Sequence, residues 1–403
     1  MFWQKRFRMI RRFVAQATAI ACVCLLIGAC GVQKTEPVRV NLADVVLAVG
    51  LNPSAQKFTE AKSAMVALVH KDGTAEYIDT TTSTPQNMAW NRAGLFFDDK
   101  EHNFFIATPL GQGYVSDRAN PNVPGWQMVP VGDGAMMAMY QAPYSDVERS
   151  TMMQTQWFTP QPRQVVTKPA ALPDVVAQCS SGIFAVARDE GYHVLYSVSE
   201  VDGMLQADAQ PVNKRFIAAR ASGAVPCVGD ELTIFGGSSN GTKGNSSGSQ
   251  VLTLLKWNVK THDFQQQTVT STDGKPQSYD GEASFAYGTT LTADNREMIV
   301  MTEDGKVEFI DMRTAEITKS AESPQVFDAG AASYSIVGSD DYAYLIFTPN
   351  GDTKDTAKVF VYRKSDWKLI YTITAQGALN DLLSNRKELH PTVFAANPTM
   401  NWD

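Results

Sequence analysis

The feature that most constrains this chain is a recurring unit of short strands. Each unit opens on a strand of small residues, continues through a strongly apolar strand, and ends in two more polar runs joined as a hairpin. Units start near Ala93 (AGLFFDDKEHNFFIAT), Gly134 (GAMMAMY), Cys179 (CSSGIFAVARDEGYHVLYSVS), Cys227 (CVGDELTIFGG), Ala283 (ASFAYGTTLTADNREMIVMT) and Ala332 (ASYSIVGSDDYAYLIFT), separated by 41, 45, 48, 56 and 49 residues. Repeats of about 40–50 residues fit four strands apiece, and one such unit buries its apolar faces only by stacking on its neighbours. Residues 45–82 supply a seventh unit. The spacing therefore predicts an all-β chain, a β-propeller of seven four-stranded blades.

Local signals agree. Ala64 to Ile78 (AMVALVHKDGTAEYI) is two alternating runs meeting at Asp72-Gly73, a pair suited to a tight hairpin turn. Met298 to Met312 repeats the design at Asp304-Gly305, and Tyr342 to Thr374 carries two more turns, at Asn350-Gly351 and at Lys364-Ser365-Asp366. Val251 to Val269 fits two outer strands of one unit. A short helix is expected over Ala378 to Arg386, followed by a strand, Thr392 to Ala396. A ring with no open sheet edge needs its last strand to meet its first blade, so this strand is expected to pair with the sheet built near Ala64.

The N-terminus has a different character. Lys5, Arg6, Arg8, Arg11 and Arg12 precede an apolar run from Phe13 to Ile27, which ends in Leu26-Ile27-Gly28-Ala29-Cys30. The run is shorter than the ~20 apolar residues of a membrane-spanning helix. The whole stretch resembles the signal peptide and lipobox of a bacterial lipoprotein. That resemblance implies cleavage between Ala29 and Cys30, a diacylglyceryl group on Cys30, and a lipid-anchored protein on the outer face of the bacterial cell membrane. Two acyl chains hold a protein there stably where one is marginal. Arg11-Arg12-Phe13 lacks the residue that twin-arginine signals place between the pair and the phenylalanine, so the general secretory route is expected. The organisation is then a signal peptide (1–29), a lipidated cysteine and polar tether (30–44), and a propeller (45–403). The blades are similar to WD40- and quinoprotein-like repeats, and the pairing of lipobox with blades is similar to the propeller lipoproteins that assist envelope assembly.

Without residues 1–29 the chain keeps 30 Lys+Arg against 42 Asp+Glu, a charge of about −12. An acidic surface disfavours nucleic acid and anionic head groups. Two cysteines remain in the fold, Cys179 and Cys227. They stand at nearly the same offset in consecutive units, ahead of Ile183-Phe184-Ala185-Val186 and Leu232-Thr233-Ile234-Phe235. An exported chain allows a disulfide there, stapling blade to blade, if the Cα atoms come within about 7 Å; two free thiols are the alternative.

No local motif carries catalysis. The Gly-x-Ser-x-Gly letters occur only inside Gly236 to Ser249, a low-complexity loop that offers no strand-to-helix elbow. The five histidines are scattered, so neither a metal site nor a cofactor is expected. The residues singled out for partner binding are Trp126, Met136, Tyr140 and Trp157, which crowd one blade and could line an exposed apolar surface. The expected role is a monomeric binding or scaffolding module whose partner is an envelope protein or a glycan. The alternative is a carbohydrate-active enzyme whose carboxylates converge near the central channel from distant blades, leaving no local motif. Three or more carboxylates beside an exposed tryptophan at a channel mouth would favour the enzyme; a lining of small residues would favour the scaffold.

Overall fold

The computed structural model describes residues 40–402, except 54–62, 82–86, 109–112, 119–124, 133, 148, 159–162, 190, 212–214, 219–224, 240–249, 280–287, 302–305, 325–331, 351–353 and 385–388. Cys30, the signal segment, Asp304-Gly305 and most of the low-complexity loop therefore lie outside the described residues. What is described forms a ring of seven antiparallel sheets, a β-propeller. Blades two to seven run consecutively over 88–117, 125–167, 173–211, 215–279, 290–322 and 332–374. The first blade takes three strands from the start of the fold (Val45–Pro53, Ala64–His70, Ala75–Thr80) and its innermost strand, Leu389–Ala396, from the end. That strand pairs with Val45–Pro53, Val49 opposite Phe394 and Leu47 opposite Ala396. The ring is thus closed through the first blade, as the terminal run predicts. One short helix, Gly377–Leu383, precedes the closing strand and buries Leu379, Leu382 and Leu383.

The core is divided among the blade interfaces. Seven apolar clusters, one for each pair of adjacent blades, fill the described ring; that between blades three and four, for example, joins Val129, Met137 and Trp157 to Val176, Ala185 and Tyr196. Every sheet is thus covered on both faces. The second and third strands are apolar at nearly every position, as in Tyr342–Pro349, whose eight residues are all buried. Outermost strands are mostly exposed instead, because they lie at the rim of the ring and meet solvent: Ile317–Glu322 buries little beyond Ile317.

The phase of the repeat differs from the sequence reading. The innermost strands of blades two and three, Met88–Asn91 and Gly125–Val131, lie before the expected starts at Ala93 and Gly134, and Cys179 and Cys227 close or follow a first strand rather than opening a unit. Met88–Asn91 has only four residues, and Gly125–Val131 (GWQMVPV) is mixed, with a register shift after Gly125 and a proline at Pro130, so alternation does not mark them. Leu42, expected in the tether, is buried with Val45 and Trp90 between the first two blades, so the described fold begins before Val45.

Blade five departs from the common pattern. Its inner edge is split into Arg215–Ala218 and Cys227–Val228, both paired with Glu231–Ser239, and its outer edge into Phe264–Thr268 and Ser278–Tyr279. Cys227 is bonded to Cys179 of blade four, with Cα atoms 5.1 Å apart. Around this disulfide, Val225 N donates to Val176 O (2.9 Å) and Ser180 N to Gly229 O (2.7 Å), so the short piece Cys227–Val228 is tied to blade four on both sides of the disulfide.

Candidate functional site

Three of the four residues singled out on blade three, Met136, Tyr140 and Trp157, belong to the interior. Met136 and Met137 do point to opposite faces of their strand, yet both are fully buried, Met136 against blade two and Met137 against blade four. Alternation predicts one exposed face only for a sheet that has one; here neighbouring blades cover both. Trp157 is buried in the same cluster as Met137. Trp126 lies on the innermost strand, Gly125–Val131, and its side chain is outside what is described. Tyr140 is buried in a polar cluster between blades two and three: its hydroxyl donates to Asn103 Oδ1 (3.0 Å), and its ring lies 4.2 Å from the Arg118 guanidinium. Beside it the Asp98 carboxyl accepts from Asn87 N at 2.8 Å, and burial pushes its pKa up to about 7 against the pull of Arg118. Met136, Tyr140 and Trp157 form no exposed apolar surface on this blade.

Concavity occurs elsewhere, at the ring end that carries the turns between first and second strands and between third and fourth strands. Two adjoining cavities open there. The axial one, of about 550 Å³, is walled by the ends of the inner strands of six blades, with side chains such as Met88, Pro130, Thr290 and Phe394. At its edge stand Asp340 and Asp341, and Asp340 Oδ2 accepts from Arg92 Nη2 at 2.8 Å across the mouth, joining blade seven to blade two. The second cavity, of about 410 Å³, lies between blades six and seven and shares Ala293 and Lys364 with the first.

Lys364 is the residue common to the chemistry of both. Its side chain comes from the last hairpin turn of blade seven and is buried, with Nζ donating to Ser339 O. Among the described residues no carboxylate stands within ion-pair distance of it, and burial lowers its pKa to about 8, against the pull of Asp340 and Asp341. The same turn presents Trp367. The indole stacks on Tyr362 (centroids 4.5 Å apart, planes 12° apart) and meets Phe309 of blade six edge-on at 5.0 Å. Lys319 Nζ stands 4.9 Å from the Phe309 ring centre.

The backbone at Trp367 is left-handed, with φ of 55°. The corresponding turns of blades one and four place glycine in this conformation, Gly73 (φ 85°) and Gly203 (φ 66°), while blades five and six place His262 and Ala315 there. Gly73 has a second reason to be glycine, since a Cβ would lie 2.0 Å from Thr374 O of blade seven. A bulky residue in this region costs on the order of 1–2 kcal/mol. Blade seven bears that cost and carries an indole into the inter-blade cavity.

Three carboxylates share this cavity: Asp294, Glu297 and Asp366. Asp294 Oδ1 accepts from Thr292 Oγ1 (2.7 Å) and Arg296 N (3.1 Å), which hold its pKa below the usual carboxylate value. Glu297 accepts from Thr318 Oγ1, and Asp366 accepts from Arg363 Nη1 and Lys368 N. Local sequence gave no hint of this grouping, since it joins turns some seventy residues apart. A signal existed in the repeat: aligned on their third hairpin turn, the blades set Trp367 where Gly73 and Gly203 stand. Among the described residues no group of three or more His, Cys, Asp or Glu is placed to hold a metal ion.

No family model and no curated protein matches the chain in sequence. Solved structures resemble it in fold. A protein from Lactobacillus plantarum aligns over 83% of this chain and 98% of its own, at 10% identity and a TM-score of 0.49. Apo AztD from Citrobacter koseri aligns over 87% and 98%, at 11% identity and 0.47, and Sqt1 from Saccharomyces cerevisiae over 72% and 74%, at 14% and 0.41. None of them assigns this chain a ligand or an activity.

Proposed function

We propose that the chain is a lipid-anchored, extracytoplasmic β-propeller that serves as a binding or scaffolding module at the bacterial cell envelope. The observation that carries the binding role is the axial concavity of about 550 Å³, where the inner strands of six blades converge on largely small and apolar side chains. Its size falls within the roughly 300–1,000 Å³ of small-molecule sites, and a few charged groups at its edge can orient what enters. The anchor rests on Leu26-Ile27-Gly28-Ala29-Cys30 behind a cationic, apolar leader. A fold held at the membrane by Cys30 is kept within reach of other envelope components, proteins or glycans.

Hydrolysis is the weaker reading of the same ring end. Three carboxylates do gather near a tryptophan, but a general acid needs a raised pKa, and the hydrogen bonds to Asp294 lower its own.

Two experiments test the proposal. Labelling of the full chain with a palmitate analogue is expected to mark the wild type and not Cys30→Ala, and the variant is expected to leave the membrane fraction; equal labelling and retention would end the lipoprotein reading. A photo-crosslinking residue at exposed Ala293 is expected to give adducts competed by unmodified protein, whereas one at Tyr192, on the opposite ring end, is not. Adducts equal at both positions, or absent at Ala293, would end the assignment of binding to this end.

A further inference from the structure

We propose that the cavity between blades six and seven binds a neutral saccharide, a pyranose ring lying against Trp367 with its hydroxyls divided between the carboxylates of Asp294 and Asp366 and the ammonium of Lys364. This rests on the reading of this ring end as a binding surface and names the class of ligand. Three observations carry it. The first is the cavity itself, of about 410 Å³, with Trp367 and Phe309 in its wall and the buried Tyr362 stacked against the indole. The C–H faces of a pyranose are apolar and lie well on an indole, which has a broad apolar surface and a donor at its edge.

The second is Lys364. Only 8% of it is exposed, and among the described residues its ammonium has one hydrogen bond, to the Ser339 carbonyl, while it has three protons to donate. A cation so placed, with no carboxylate in contact, has two donors left for whatever fills the cavities it borders.

The third is the strained backbone at Trp367. The equivalent turns of blades one and four carry glycine there and those of blades five and six carry His262 and Ala315; blade seven alone among these five turns puts an indole in the left-handed position, and such strain concentrates at binding sites.

The balance of charge selects the class. Carboxylates and ammonium groups line the cavity together, so a free anion or cation would meet like charge on one side. A neutral polyol uses both: its hydroxyls donate to carboxylate oxygens and accept from lysine, charge-assisted bonds stronger than neutral ones. Among the described residues Asp294 Oδ2 takes part in no hydrogen bond, both of that carboxylate's bonds going to Oδ1.

The test uses the purified full chain in a detergent without a sugar head group, with saturation-transfer NMR against maltotriose and chitotriose. Glucosamine and glucose 6-phosphate serve as cationic and anionic probes. Saturable transfer from a neutral trisaccharide is expected in the wild type, weakened at least tenfold in Trp367→Gly and Lys364→Met and partly restored in Trp367→Tyr, with melting curves showing each variant folded. The exposed-site variant Leu205→Ser on blade four is expected to bind as the wild type does. Absence of transfer, transfer unchanged in the first two variants, or transfer confined to the charged sugars would overturn the inference. If it is overturned while Ala293 still crosslinks, the binding-module reading stands and only the ligand class fails.

Discussion

The interface between blades four and five and the one between blades six and seven solve the same packing problem in opposite ways. At the first, the inner edge of blade five is split in two, and its second piece is tied to blade four by the Cys179–Cys227 disulfide and by backbone bonds from Val225 and Ser180. At the second, each sheet pairs its four described strands in plain sequence order, yet the ring end stands open as a cavity with a buried lysine and a left-handed tryptophan on its wall. Strand continuity alone therefore does not decide where a propeller is tight. Crosslinks gather where the sheet is defective, and strain and unpaired charge are tolerated where neighbouring blades remain sound. The second interface spends stability on surface chemistry; the first restores it.

Breaking the disulfide should give the largest effect. Its loop spans 48 residues, for which the chain-entropy account predicts roughly 4 kcal/mol. Cys227→Ser is expected to lose about that much in urea denaturation under oxidising conditions and to become insensitive to reductant, while the wild type under reductant should match the variant. A loss under 1 kcal/mol would mean that the backbone bonds alone hold the interface.

Lys364 should give the next largest effect, through pH. Its folded pKa of about 8 lies below the ordinary 10.5, so between these values the unfolded chain holds the extra proton. The penalty is therefore complete below pH 8 and fades as pH rises toward 10.5. Two and a half pKa units correspond to about 3 kcal/mol. Lys364→Met removes that penalty, so the stability of the variant relative to wild type should fall by about this amount from pH 7 to pH 10.5. A gap that does not change with pH would mean that the ammonium is solvated after all.

Most of the ring was legible in the sequence because hairpins are local. Asp72-Gly73 and the alternation around it predicted the outer strands of the first blade, and Thr392 to Ala396 predicted closure because a ring must hide its edges. The inner strands Met88–Asn91 and Gly125–Val131 escaped, the first too short and the second too mixed for period-two alternation to register. Met136 and Tyr140 were read as candidates for a surface because a residue on either side of a strand looks alike until the neighbouring sheets are placed. The cavity beside Trp367 escaped for a related reason: its walls come from two blades, and only superposition of the repeats marks a tryptophan at a glycine position.

Trp367 offers a smaller but more diagnostic comparison. Trp367→Ala loses the contacts with Tyr362 and Phe309 and keeps a side chain in the left-handed region; Trp367→Gly loses the same contacts and relieves the backbone. Aromatic pairs contribute about 0.5–1.5 kcal/mol each, so both variants should fall below wild type, with glycine the more stable of the two by about 1 kcal/mol. Urea midpoints for the pair measure this directly. Equal midpoints would show that the turn carries no strain, and the contrast with the disulfide-tied interface would then rest on Lys364 alone.

The smallest effect belongs to Arg92 and Asp340, which bridge the axial mouth at 2.8 Å with both side chains more than half exposed. Exposed pairs contribute about 0–1 kcal/mol and weaken with salt, so Arg92→Ala should barely move the melting curve. Its value lies in what it does to the neighbouring groups. Freed of its partner, Asp340 adds its full negative charge to the field around Lys364, and an added negative charge favours the protonated ammonium. The pH window in which Lys364 weakens the fold should therefore shift upward in Arg92→Ala, visible as a displaced titration of Lys364 Nζ in NMR. An unmoved titration would place Asp340 electrically outside the open interface, and the mouth of the channel and the inter-blade cavity would then be two sites rather than one continuous surface.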